Sequence, residues 1–153
     1  MMKIEKSFTV VAPRENVWEF ITSPESVAPC IPGCEQVEQV GPKKYRAGIR
    51  IKIGPIRTKF KVDIDVLEER PPEFASYQTQ GVEGGKASRI KAVSKLSLTE
   101  IDSAATEVLY TSEINLIGRL GKFSQGMMNK VADSIGEDFI LALRKEIEVA
   151  DES

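Results

Sequence analysis

Histidine is absent from this sequence of 153 residues. Its absence excludes Ser-His-Asp and Cys-His nucleophile pairs, imidazole metal ligands and the commonest general base. Any catalysis would depend on carboxylates, tyrosine, lysine or a bound cofactor. The composition therefore favours a non-catalytic protein with no metal site.

Cysteine is nearly absent as well, because Cys30 and Cys34 are the only two. A zinc site would need two further Cys or His ligands, and a redox disulfide would favour CxxC over the CxxxC spacing found here. In a cytosolic protein such a pair is reduced. The spacing favours a structural corner of two small, partly buried thiols, with a regulatory disulfide as the alternative.

The sequence also lacks a long hydrophobic run. No apolar stretch approaches the roughly 18 residues needed to cross a bilayer, and the N-terminal MMKIEKSF contains no signal-peptide core. The formal net charge of −2 argues against nucleic-acid binding, which requires a basic balance. With 41% hydrophobic and 29% charged residues, the composition is that of a globular protein, and 153 residues suffice for one domain, expected over residues 1–150. Without a membrane span or signal peptide, the expected location is the cytoplasm.

Alternating apolar and polar residues, the pattern of a strand with one wet face, recur through most of the chain. In 44–53, for example, Tyr45 and Ile49 alternate with Arg46 and Arg50. The pattern predicts a strand at 3–11 and six more strands near 35–40, 44–53, 57–67, 73–82, 87–101 and 106–116. Between the first two, Pro13 opens a short helix over 13–22, and Ser23-Pro24 ends it before a second helical piece over 24–28.

The final stretch, from Gly118 to about Val149, has the periodicity of a long amphipathic helix. About 30 residues at ~1.5 Å rise would span about 45 Å and would need the sheet as an apolar partner. Ser124 in the apolar sector and Asp138 at its edge are unfavourable in a dry core. The helix is therefore either the wall of a cavity or an element packed closely on the sheet through its glycines. Its apolar side comprises Leu120, Phe123, Met127, Met128, Val131, Ile135, Phe139 and Ala142.

Together these elements predict an α+β fold of the helix-grip type, START-like or birch-pollen-allergen-like. A curved antiparallel sheet of about seven strands would wrap around the long C-terminal helix, with two short helices after strand 1. A hollow between helix and sheet would bind a hydrophobic small molecule. The same residues in a filled core would produce the same pattern. The expected lining is Tyr45, Ile49, Phe60, Val62, Ile64, Tyr110, Phe123, Met127 and Val131.

Three motifs carry a resemblance to a known family: Ala12-Pro13 followed by Val17-Trp18, the corner Cys30-Ile31-Pro32-Gly33-Cys34-Glu35, and Gly118-Arg119-Leu120-Gly121. Over essentially the whole chain, the sequence is similar to the CoxG family of carbon monoxide dehydrogenase subunits, within the SRPBCC superfamily. The resemblance implies a non-catalytic accessory protein that helps to attach a carbon monoxide dehydrogenase or related molybdenum hydroxylase to the membrane, or to connect it to quinone. It also implies a quinone or lipid in the hollow, no other cofactor, and peripheral contact with the inner face of the membrane.

Two groups of cations are candidates for docking an anionic surface or partner. Arg119 and Lys122 would lie at the positive end of the final helix, where the macrodipole disfavours cations. Arg50 and Lys59 belong to a basic band on the outer face of the predicted sheet. The alternatives are solvated cations without a role and cross-strand pairs with Asp63, Asp65 or Glu113. The rest of the band is Arg46, Lys52, Arg57, Lys61, Arg89, Lys91 and Lys95.

The sequence leaves two other functions open. One is an SRPBCC enzyme of the cyclase or hydrolase kind, with Asp138, Tyr45 or Tyr110 as acid or base. The missing histidine argues against it, as does the lack of paired carboxylates in the hollow, since Asp63 and Asp65 alternate outward. The other is a protein-interaction module with a filled core and no ligand.

Overall fold

Seven strands and three α-helices make up the part of the chain that the computed structural model describes, residues 2–53, 55–122 and 124–152. The strands are β1 (Met2–Val10), β2 (Cys34–Gly41), β3 (Lys44–Ile53), β4 (Ile56–Arg70), β5 (Phe74–Glu83), β6 (Ser88–Asp102) and β7 (Ala105–Gly118). The helices are α1 (Arg14–Ile21), α2 (Pro24–Val27) and α3 (Gln125–Glu152), and short 3₁₀ turns lie at Ala28–Cys30 and Gly84–Lys86.

All seven strands join one antiparallel sheet in the order β1-β7-β6-β5-β4-β3-β2. From β2 to β7, each strand pairs with its neighbour in sequence. β1 pairs across the chain with β7, in a register that places Phe8 opposite Val108. This arrangement confirms the predicted α+β helix-grip fold, with its long C-terminal helix and two short helices after β1.

The inner face of the sheet, on the side of α3, carries two separate groups of buried apolar side chains. α3 contributes Leu143 and Ile147 to the first group and Met128 to the second. The interior therefore has two filled ends joined by the middle of α3. The Trp18 cluster consists of Val10, Ala12, Val17, Trp18, Ala75, Leu96, Leu98, Val108, Leu143 and Ile147. The Phe60 cluster consists of Met2, Ala47, Phe60, Val62, Ala92, Ile114, Leu116, Leu120 and Met128.

α3 lies along β1, the strand at one free edge of the sheet. The Gln125 side-chain amide accepts a hydrogen bond from the backbone N–H of Lys3 at 3.0 Å and donates one to its C=O at 2.9 Å. Further along, the Arg144 guanidinium donates two hydrogen bonds to the C=O of Thr9. These side chains occupy edge groups that would otherwise be free to pair with another strand.

The final helix begins later than the sequence predicts, at Gln125 rather than Gly118. Gly118 ends β7 with a φ of +99°, which a helix cannot contain, and its C=O accepts a hydrogen bond from the N–H of Gly121 at 2.9 Å. Ser124 is exposed, and its hydroxyl accepts a hydrogen bond from the N–H of Met127 at 3.1 Å, as an N-cap does. Ser124 therefore starts the helix instead of facing the core. No helix in the described residues is both long and apolar enough to span a bilayer.

Candidate functional site

Hydroxyl groups occupy the inner face of the sheet between the Trp18 cluster and the Phe60 cluster. Ser94 on β6 lies opposite Ser112 on β7, with the two hydroxyl oxygens 3.0 Å apart. The hydroxyl of Tyr110 lies 3.2 Å from that of Ser94, and 36% of Tyr110 remains exposed. Tyr45 and Tyr77, the other two tyrosines of the chain, belong to the same face by register. These five residues form what we call the hydroxyl row.

The hydroxyl row offers neutral hydrogen-bonding groups. Burial, reinforced by the Glu69 carboxylate, raises the pKa of Tyr77 to about 12, so Tyr77 keeps its proton throughout the physiological range. Lys6 is a cation on the adjoining inner face of β1, and the Asp133 carboxylate of α3 pairs with it. A row of this kind suits the carbonyl or hydroxyl oxygens of a ligand better than an ionised group.

Apolar side chains around the hydroxyl row are only partly covered. Ile49 on β3 and Ile64 on β4 lie on the inner face but stay half-buried, and Val131 on α3 is half-buried as well. Protein interiors are normally close-packed, so large apolar side chains left partly exposed there mark incomplete contact between helix and sheet. The inner face thus combines hydroxyl groups with partly exposed apolar side chains, of which Ile49 and Ile64 lie at the margin of the Phe60 cluster.

The structure brings the predicted cavity residues of β3 and β4 onto one surface. Tyr45 lies opposite Ile64, and Ile49 lies opposite Phe60. Phe60 and Val62 are fully buried members of the Phe60 cluster, whereas the other three are half-buried. The first two therefore belong to the filled end of the interior, and Ile49 and Ile64 pack against that end while staying partly exposed. Their role in ligand binding stays a prediction.

Of the predicted cavity residues in the last third of the chain, some face the interior and one is exposed. Tyr110 and Val131 face the interior from β7 and α3, as described above. Met127 is 39% exposed, and its neighbour Met128 packs in the Phe60 cluster instead. The later start of α3 at Gln125 makes Met127 a first-turn residue at the side of the helix. Phe123 lies outside the described residues.

Two surface depressions lie away from the hydroxyl row. One has a volume of about 590 Å³ and lies largely among outer-face side chains of β3 to β7. The other has a volume of about 360 Å³ and is lined by Phe20 and Cys30 on one side and by Ala142 of α3 on the other. Neither contains a residue of the predicted cavity lining.

A buried carboxylate that was not predicted from the sequence holds the connection between β7 and α3. Glu83, at the end of β5, is only 3% exposed. The Arg119 guanidinium pairs with both of its oxygens, with Nε 3.1 Å from Oε1, and the Thr58 hydroxyl also donates to it. Ser88 accepts a hydrogen bond from the N–H of Leu120 at 3.1 Å. The only signal in the sequence was the alternation of side chains along the strand. Glu83 falls on the positions that face inward and lies just before a glycine turn.

Arg119 is consequently not a cation at a helix N-terminus, as was expected from the sequence. It lies six residues before α3, which begins at Gln125, and its partner is a buried carboxylate. Lys122 lies in the same connection and is exposed. The expected position of both residues in the first turn of the final helix is therefore wrong, and their docking role stays a prediction.

The other two predicted docking cations share one partner. Arg50 and Lys59 both pair with the Glu35 carboxylate, the latter at 3.3 Å. Arg46 pairs with Asp63 at 2.8 Å, as the cross-strand alternative predicts. Part of the basic band is therefore neutralised within the sheet.

Acid is expected to destabilise the wild-type protein more than its Glu83→Gln variant. Burial raises the pKa of Glu83, but hydrogen bonds from Arg119, Thr58 and Ser88 outweigh it and hold the pKa below the ordinary 4.5. The ionised carboxylate therefore stabilises the fold above the unfolded-state pKa, and this contribution is lost as the pH falls through the lower folded-state pKa. Urea unfolding from neutral pH down to about pH 3 measures the difference. Parallel losses in the two proteins would contradict it.

The two cysteines are free, Cys30 buried and Cys34 half-buried. Burial, followed by the nearby carboxylates of Glu146 and Glu35, raises the pKa of both thiols. Raised pKa values keep the thiols protonated and weakly reactive near neutral pH, which agrees with a structural corner. Among the described residues, no group of three or more Cys, Asp or Glu side chains is placed to hold a metal ion.

The curved antiparallel sheet, the long C-terminal helix and the partly uncovered interior define a START-like helix-grip domain. A START superfamily protein from Mycobacterium smegmatis shares this fold with a TM-score of 0.73 at 14% identity, over 98% of this chain and 99% of that chain. The profile of a family described as the G subunit of carbon monoxide dehydrogenase (CoxG) matches residues 7–148. The chain belongs to this family, which confirms the resemblance carried by the three motifs.

Two further solved structures place the chain among its neighbours. A conserved protein from Geobacillus kaustophilus is 27% identical, with a TM-score of 0.88 over 97% of each chain. The Zhui aromatase/cyclase from Streptomyces sp. R1128 is 17% identical, with a TM-score of 0.67 over 95% of this chain and 93% of that chain. At that identity the likeness to the cyclase concerns the fold alone. No curated protein matches the sequence.

Proposed function

We propose that the protein is a non-catalytic accessory protein that binds a hydrophobic small molecule, a quinone or a lipid, between α3 and the inner face of the sheet. In this role it assists a carbon monoxide dehydrogenase or a related molybdenum hydroxylase in coupling to the membrane electron chain. The observation that carries the ligand half of the proposal is the hydroxyl row lying beside partly exposed apolar side chains.

A filled core would place apolar side chains in the middle of the sheet. Instead, the hydroxyls of Ser94 and Ser112 are hydrogen-bonded to each other there, and the hydroxyl of the partly exposed Tyr110 lies beside them. A ligand with ring carbonyls or a polar head can accept hydrogen bonds from this row. Its apolar part can then cover Ile49 and Ile64, whose burial is worth about 25 cal/mol per Å². The site therefore fits an amphipathic ligand with a neutral head.

The partner half of the proposal follows from the family. The family is described as a subunit of carbon monoxide dehydrogenase, so a member of it is expected to act together with that enzyme. This chain also has no histidine of its own for catalysis. Asp138, the acid or base of the enzyme alternative, is exposed on α3. We place the protein in the cytoplasm, in peripheral contact with the inner face of the membrane.

Val131→Trp is expected to weaken binding of decylubiquinone by at least about tenfold, because an indole at this half-buried position fills the space beside the hydroxyl row. Leu141→Trp is the matched control on the same helix, since Leu141 is 66% exposed. Titration of the quinone into each folded variant, checked by circular dichroism, measures the change. Equal binding by wild type and both variants would place the ligand elsewhere.

The first measurement is native mass spectrometry, with organic extraction, on protein purified without detergent from its own host. We expect a copurifying isoprenoid quinone or other lipid. The position of both surface depressions, away from the hydroxyl row, favours a second candidate, a protein-interaction module with no ligand. Protein that stays empty, with a melting temperature that added quinones do not move, would select that second function.

A further inference from the structure

The outer face of the sheet contains a groove of about 590 Å³, on the side opposite the hydroxyl row. Its lining includes two neighbouring rows of the sheet. In one row, Lys61, Val82, Arg89 and Ile117 lie side by side on β4, β5, β6 and β7. Lys91 belongs to the next row, two residues along β6 from Arg89. We call this surface the outer-face groove.

Three cations without an ion pair line the outer-face groove. Lys61, Arg89 and Lys91 are exposed, and none of them has an ion pair within the described residues. Of the rest of the basic band, three cations are paired, Arg46, Arg50 and Lys59. The other three have no ion pair in the described part of the chain and lie outside the groove lining: Lys52, Arg57 and Lys95. A protein of net charge −2 thus presents a local cationic surface. Such a surface attracts an anionic partner.

Apolar surface lies beside these cations. Val82 lies between Lys61 and Arg89, and Ile117, which is 60% exposed, lies on the other side of Arg89 at the end of the row. Apolar side chains that alternate with cations are the composition of an interaction surface.

We propose that the outer-face groove binds an acidic segment of a partner protein, one that carries carboxylates around an apolar residue. Alternate residues of an extended segment are about 7 Å apart, as are the Cα atoms of Arg89 and Lys91 along β6. Carboxylates two residues apart can therefore meet both cations, while an apolar residue on the same face of the segment covers Ile117.

The surroundings favour a protein segment over a bilayer. The row beyond Lys91 contains Asp65 and Glu113, each beside a lysine of its own row, Lys44 and Lys3, so this row carries no net positive charge. A flat anionic membrane would not be attracted there and would not reach the floor of a groove. A narrow segment can reach the floor, where the Asp63 carboxylate is already paired with Arg46.

The inference rests on the partner half of the proposed function and is independent of the ligand half. The probe is a fluorescein-labelled peptide of alternating serine and glutamate, with one central glutamate replaced by leucine. We expect saturable binding to the full chain in fluorescence anisotropy, weakened by salt. The K61Q/R89Q/K91Q variant is expected to bind about tenfold more weakly, since three exposed ion pairs are lost.

The matched control is K52Q/R57Q/K95Q, which removes three cations outside the groove lining. It is expected to change peptide binding less than about twofold. Ile117→Ser, at an exposed position, is expected to weaken binding about threefold without changing the melting temperature. Equal losses in the two triple variants would overturn the proposal in favour of net charge alone.

Two other outcomes would also overturn the proposal. One is no saturable binding of the peptide to the wild-type protein. The other is cosedimentation with vesicles of phosphatidylcholine and phosphatidylglycerol, lost in K61Q/R89Q/K91Q, without binding of the peptide. Quinone titration of the same variants is expected to be unchanged, because the hydroxyl row lies on the opposite face. Failure of the groove and failure of the ligand site are therefore separable.

Discussion

Gly118→Ala is expected to destabilise the protein by about 3–4 kcal/mol, as the sum of a backbone term and a clash. Gly118 has a φ of +99°, a left-handed conformation that costs an L-residue about 1–2 kcal/mol. A Cβ there would lie 2.2 Å from the carbonyl oxygen of Ala87 and 2.8 Å from the Cα of Ser88. Both are backbone atoms of the neighbouring strand region and cannot rotate away.

Gly85→Ala is the matched control for Gly118→Ala. Gly85 has a φ of +81°, but an added Cβ would meet nothing within 4 Å. It is therefore expected to lose only the backbone term, about 1–2 kcal/mol. Urea unfolding followed by far-ultraviolet circular dichroism gives both free energies, and their difference measures the clash. A Gly118→Ala variant as stable as Gly85→Ala would contradict the geometry at this turn.

Arg119→Ala is expected to destabilise the protein by about 2–3 kcal/mol, because it leaves the buried Glu83 carboxylate without its cation. The value is at the low end for a buried ion pair, since the Arg119 side chain is itself 48% exposed and water can enter the space it vacates. Thr58 still donates to the carboxylate, so part of its hydrogen bonding is retained.

The double variant Arg119→Ala/Glu83→Gln distinguishes an uncompensated charge from lost packing. It is expected to be more stable than Arg119→Ala alone, because the amide removes the buried charge. Denaturation of the wild type, both single variants and the double variant gives the coupling free energy. Additive single effects would mean that Arg119 and Glu83 stabilise the fold independently.

These two predictions concern the same part of the molecule. Gly118 turns the chain out of β7, and the pairing of Arg119 with Glu83 anchors the connection that leads to α3. Both variants therefore measure how much this connection contributes to the stability of the fold.

Much of the fold was predictable because its determinants are local. Alternation with a period of two located all seven strands, for example Tyr45 to Ile53 in β3, since side chains of a strand point to opposite faces in turn. The same parity placed Tyr45, Ile49, Phe60 and Ile64 on one surface. The motifs at 30–35 and 118–121 identified the family.

The start of α3 was not predictable from periodicity. The apolar spacing of the residues before Gln125 continues the helical pattern, but spacing does not report backbone dihedral angles. Only the fold shows that Gly118 adopts a positive φ and that Ser124 is the N-cap. The packing of the folded molecule also shows that Met128, and not Met127, joins the Phe60 cluster.

The sequence by itself determined the class of fold, the family and the inward face of strands such as β3 and β4, because these depend on local patterns and motifs. Only the tertiary structure decided which charges meet. Glu83 and Arg119 are brought together by the pairing of distant strands, and Glu35 neutralises Arg50 and Lys59 through the β2–β3–β4 register. Charge pairing depends on distances across the sheet, which no local pattern encodes. Which cations of the outer-face groove remain without an ion pair is therefore decided only in the folded molecule.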